Sequence, residues 1–175
     1  MPSGVEEHES GVPDELVVTN ARAKRDDVAR RISTDALVLA ADTVVTCGDH
    51  VLGKPDSHED ARRMLTMLSG RTHSVFTGLA VCDTASGKTA EGAERTSVTF
   101  RTLRPGDIDR FIESVNPVDR AGAYTVDGPG SLLVERYEGC YYNVLGLPLV
   151  RLDCLLDELG FRLFDMMDGS RAAFL

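Results

Sequence analysis

Apolar positions along this chain alternate between helical and strand periods. Val17, Ala21, Val28 and Ile32 recur at helical spacing and predict a helix from Pro13 to about Ile32, with proline in its first turn. Lys24 falls on that same stripe, an unusual place for an ammonium. Ala36–Val45 is apolar at both parities, as a central strand covered on both faces should be, and Asp42 alone interrupts it. Cys47-Gly48-Asp49-His50 then turns the chain. Ser57, with Asp60 three residues on, caps a second helix that buries Ala61, Met64, Leu65 and Leu68 and ends at Gly70. Two long strands, 72–83 and 90–102, follow, joined through Ala85-Ser86-Gly87-Lys88. A short helix over 106–114 carries Ile108, Phe111 and Ile112. The last helix, Pro148–Leu159, places Leu149, Leu152, Leu156 and Leu159 on one face before Gly160. Residues 1–12 read as exposed and extended, and 161–175 as a tail. This order predicts an α/β domain over 1–160, with a mixed β-sheet flanked by helices.

Composition narrows the partners. The chain has 175 residues, 42% hydrophobic and 27% charged, and acids exceed bases by nine. That acidity argues against a broad basic face for nucleic acid, so a small anionic substrate would need local Lys or Arg, or a divalent metal. Asp42 breaks the longest apolar run, so no membrane span is expected. Cys47, Cys82, Cys140 and Cys154 form no CxxC pair, which argues against zinc, and the first residues carry no secretory pattern. A cytoplasmic protein with reduced thiols is expected.

Asp42 is the sharpest anomaly, because a carboxylate inside an apolar strand is costly unless paired, hydrogen-bonded or metal-bound. It reads either as a general base or metal ligand, or as a structural Asp holding a neighbouring loop. Lys24 reads as a snorkelling surface residue or as a cation aimed at a ligand. Lys54, in Gly53-Lys54-Pro55, is placed to meet phosphate with backbone and ammonium together. Arg71, after the helix-ending Gly70, offers a guanidinium clamp for carboxylate or phosphate, while His73 reads as structural. Asp119-Arg120-Ala121-Gly122-Ala123-Tyr124 permits close approach of backbone to a ligand, or a tight structural crossing. Tyr141-Tyr142-Asn143 reads as core with a capping amide, and Glu6-Glu7 as solvated surface.

The order of these blocks is more specific than any one of them. Ala41-Asp42-Thr43-Val44-Val45, Leu52-Gly53-Lys54-Pro55, Leu68–His73 with Thr77-Gly78, Asp119–Tyr124 and Tyr142–Pro148 together resemble the Maf family of nucleoside triphosphate pyrophosphatases, over about residues 3 to 160. The resemblance implies a strongly twisted mixed sheet in two lobes with a central cleft, similar to the inosine triphosphate pyrophosphatases. It also implies cleavage between the α- and β-phosphates, with Mg²⁺ or Mn²⁺ as cofactor, and it leans towards a homodimer. By position, Asp42 would be the catalytic acid residue and a metal ligand. Thr43 would help read the substrate, Lys24 and Lys54 would meet it, and Glu7 would join the metal site. Two departures stand out. Relatives open with a Ser-x-Ser-Pro-Arg-Arg loop that grips the triphosphate, and Met1–Glu7 aligns about thirty residues further on, at the end of the family's second strand. Asp127 stands where members acting on dTTP and UTP usually carry Gln, which leaves the base open between pyrimidines and a donor-presenting edge such as guanine or 7-methylguanine. The competing reading is a catalytically impaired nucleotide-binding or cell-division regulatory remnant.

Overall fold

A computed structural model describes residues 1–167, so 168–175 of the expected tail lie outside the described residues. The long helix α1 (Pro13–Arg31) is followed by β1 (Leu37–Cys47) and a three-residue β2 (His50–Leu52). Helix α2 (His58–Leu68) leads into the long hairpin β3 (Thr72–Asp83) and β4 (Thr89–Phe100). Then come α3 (Pro105–Val115), β5 (Val134–Glu138), the single turn α4 (Tyr141–Val144) and α5 (Leu149–Leu159). Ser57 Oγ accepts the Asp60 N–H at 3.2 Å, the cap its sequence predicts, and Gly160 closes α5 in the left-handed conformation.

The five strands lie in the order β2-β1-β3-β4-β5. Every pairing among the described residues is antiparallel, which corrects the expected mixed sheet. The cause is the β1–β2 hairpin: it reverses the chain, so the strands that α2 joins, β2 and β3, run in the same sense but on either side of β1, and each pairs with it antiparallel.

Register and the two-residue strand period sort the side chains onto two faces. On one face, Val45, Val75, Val98 and Phe100 join a core closed by α2 and α3, while Leu79, Val81 and Ala90 join a second core closed by α5. Leu149, expected on the buried face of α5, is exposed, and Leu155 is buried instead. Between the two cores runs a polar belt. Thr77 Oγ1 donates to the Asn143 carbonyl at 3.0 Å, Asn143 Nδ2 donates to Val75 O and Thr96 Oγ1, and Thr96 Oγ1 donates to Cys140 O.

The opposite face belongs to α1, which packs Leu16 and Val17 on Val44 and Phe76. The approach is close because β3 carries Gly78 at the crossing. A Cβ there would lie 2.3 Å from the Val17 carbonyl carbon and oxygen, where no side chain fits.

Candidate functional site

Asp42 stands on the α1 face, directly paired with Gly78, so the helix that Gly78 admits passes over the carboxylate. One helical turn of α1 then supplies two partners. Lys24 Nζ donates to Asp42 Oδ1 at 2.7 Å, and Asn20 Nδ2 donates to Asp42 Oδ2 at 3.0 Å. Asp42 is 7% exposed, and these two donors answer the desolvation that its place in an apolar strand imposes. The lysine is not snorkelling: its ammonium is turned inward, onto two acids.

The second acid is Glu7, whose Oε1 lies 2.7 Å from the same Nζ. The extended segment 1–12 runs antiparallel beside α1, with the Pro2 carbonyl on Arg31, the Gly4 N–H on Asp27 and the His8 backbone on Asn20. Burial alone would push the Lys24 ammonium down. The hydrogen bonds to Asp42 and Glu7 outweigh it and hold Lys24 above its ordinary value. Glu7 is held below the usual carboxylate range, first by its hydrogen bond from Lys24 and further by the charges of Lys24 and Lys54. Lys54 is thus close enough to be felt, while its side chain stays exposed. Its loop is fixed where the Gly53 carbonyl accepts the Gly122 N–H at 2.9 Å. Gly122, with positive φ, packs on the Val45 side chain, so the Asp119–Tyr124 stretch is a tight structural crossing that seats the Lys54 loop.

Thr43, Arg71 and Asp127 make no hydrogen bond to this cluster. Thr43 follows Asp42 and therefore points to the opposite face, where its hydroxyl meets Thr77 Oγ1 at 2.9 Å. Because Thr77 spends its proton on Asn143 O, Thr43 is the donor of that pair, and its own lone pairs remain free. Arg71 is exposed just before β3, roughly 20 Å along the strand from Gly78. Asp127 is exposed, next to Val126 of the α2–α3 core, and is held low by the hydroxyl hydrogen bond from Thr125 and by the Arg120 charge. Asn20 is the residue of this cluster that sequence reasoning missed. Its signal was available: an amide in a helix interior, three residues after Val17 and four before Lys24, on the stripe that faces the sheet. A groove between α2 and α3, spanned by the Arg62–Asp109 ion pair, has a volume of about 300 Å³, and none of its lining residues belongs to the cluster.

Two carboxylates facing one ammonium, with the charge of a second lysine felt at Glu7, on an α/β sheet, set acids and cations side by side, the chemistry that handling a phosphate requires. No helix among the described residues is long and apolar enough to cross a membrane. The chain belongs to the Maf-like protein family, whose model matches residues 1–159. It is 50% identical over 148 residues to the dTTP/UTP pyrophosphatase of Moorella thermoacetica, an alignment covering 85% of this chain and 76% of that protein. The protein of the same name from Dictyoglomus thermophilum is 45% identical over 151 residues, covering 86% and 78%. That of Caldicellulosiruptor saccharolyticus is 38% identical over 175 residues, covering 97% and 86%.

Proposed function

We propose that this chain is a nucleoside triphosphate pyrophosphatase, hydrolysing the bond between the α- and β-phosphates of dTTP, UTP or a modified nucleotide. The observation that carries the reading is that Asp42 and Glu7 both meet Lys24 Nζ at 2.7 Å, with the Lys54 charge also lowering Glu7. Asp42 is the proton acceptor. Lys24 and Asn20 each occupy one of its oxygens, and every carboxylate oxygen has a further lone pair with which to take a proton from an attacking water. The water oxygen bonds to phosphorus, the bridging P–O bond breaks, and pyrophosphate leaves. Lys54, exposed at the rim, is free to meet the phosphate chain as a point charge. Lys24 holds the two acids together in the absence of substrate.

A divalent cation fits this donor set. The point on which the Asp42 and Glu7 oxygens converge is held by Lys24 Nζ, so an ion would take the place of that ammonium; two carboxylates completed by phosphate oxygens and water are what Mg²⁺ or Mn²⁺ prefers. When bound, such an ion would neutralise developing charge on the triphosphate. Asp127, a carboxylate that only accepts hydrogen bonds, favours a base edge that presents donors.

The test is pyrophosphate release with Mg²⁺ or Mn²⁺ from dTTP, UTP, GTP and 7-methyl-GTP, beside Asp42→Asn. Turnover of at least one nucleotide is expected, with a loss of ~10²–10⁴ in the variant, which keeps size and hydrogen bonding but not basicity. Release from none of the four, or Asp42→Asn at the parent rate, would overturn the reading.

A further inference from the structure

Asn20 spends its whole amide on two partners that the chain does not otherwise join. Nδ2 donates to Asp42 Oδ2 at 3.0 Å and to the His8 carbonyl at 3.0 Å, and Oδ1 accepts the His8 N–H at 2.9 Å. Engaging both the N–H and the C=O of one residue is what a neighbouring strand does. Here a side chain does it, for a segment that belongs to no sheet. Lys24, one turn further along α1, reaches Glu7 and the other Asp42 oxygen. The two side chains form parallel rungs from segment 7–8, through α1, to one carboxylate.

We propose that Asn20 is a positioning residue that fixes Glu7 opposite Asp42 by clamping the backbone of His8. This rests on the roles given above to Asp42 and Glu7. The segment's other anchors, Gly4 on Asp27 and Pro2 on Arg31, are exposed and lie nearer its start. Asn20 is 3% exposed, so its hydrogen bonds compete little with water. Asp would lose the donor and set a second charge against Asp42, while Leu would fill the space and leave both His8 backbone groups unpaired.

The experiment compares Asn20→Ala, Glu7→Gln and the double variant with the parent protein. Steady-state kinetics are taken well below the melting transition of each, and amide hydrogen exchange is followed over residues 5–9. Asn20→Ala is expected to lower kcat about 10- to 100-fold, the usual effect of removing the partner that orients a site carboxylate, with a smaller change in KM. In the Glu7→Gln background the same change should cost only a few-fold, because the group it positions is already disabled. Exchange at residues 7–9 should accelerate. Folded Asn20→Ala with parental kcat, or an equal loss in both backgrounds, would overturn the proposal, since a residue that only supports the fold changes melting and not this coupling. If Glu7→Gln and Asp42→Asn themselves turn over normally, the reading of the site fails instead, and the positioning role falls with it.

Discussion

Gly78→Ala is a one-carbon change to the surface on which the site is assembled. The new Cβ would stand 2.3 Å from the Val17 carbonyl carbon and oxygen and 2.6 Å from the Val18 nitrogen, all backbone atoms of α1. Neither strand nor helix can turn aside as a side chain would. Restoring a contact of ~3.5 Å therefore lifts α1 by roughly 1 Å. Overpacking of this kind costs about 1–3 kcal/mol, and rigid neighbours on both sides place it at the upper end. For a chain of this length that is a fall in melting temperature of roughly 6–12 °C. Because Lys24 and Asn20 ride on α1, their 2.7 and 3.0 Å bonds to Asp42 lengthen with the helix, and kcat should fall in the folded protein as well. Gly92→Ala is the control. Its Cβ would lie 2.3 Å from an Arg151 guanidinium nitrogen, the far end of a flexible side chain that can swing away, so a loss under about 1 kcal/mol is expected. Thermal melts and pyrophosphate release on both variants make the check. If Gly78→Ala melts within ~2 °C of the parent, the steric argument is wrong.

Two further predictions concern the opposite face. His73 is 3% exposed, and burial pushes its imidazole down to about 4, so the native state holds it neutral. Its contribution to stability is complete above the unfolded value near 6.5 and is lost as pH falls from there to about 4, about 3 kcal/mol in all. Urea unfolding of the parent and of His73→Phe across pH 4–7 should show a smaller acid loss in the variant, and parallel curves would remove His73 as the cause. Asn143→Leu takes the second donor from the Val75 carbonyl and a donor from the buried Thr96 hydroxyl, so a loss of ~1–3 kcal/mol in urea is expected, against near-zero if the belt is ornamental.

The legible part of the fold was the periodic part. Helices α1, α2, α3 and α5 and strands β1, β3 and β4 each carry enough repeats to declare themselves, whereas β2, β5 and α4 are too short to do so. Asp42 and Lys24 stood out because each breaks a pattern, and the structure brings them together at 2.7 Å. Thr43 shows where adjacency misleads. A neighbour in the sequence of a strand is on the other face of the sheet, so it shares a motif with Asp42 but not a surface. Arg71 is two residues from His73 along the chain yet about half a strand's length from the cluster, a distance that only the register between β1 and β3 fixes. Asn20 escaped notice because an amide among apolar residues reads as tolerated polarity until its partners, 12 and 22 residues away, are known.

The line of Thr77, Thr96 and Asn143 between the α2–α3 core and the α5 core sets how the molecule can deform. Parting two apolar surfaces exposes them to water at roughly 25 cal/mol for each Å², whereas hydroxyls and amides are readily rehydrated. The cheapest place to flex is therefore along that row, with β1, β3 and β4 running unbroken beneath it as a leaf spring. Opening there leaves both cores intact, and the α5 unit can exchange its amides without unfolding the rest.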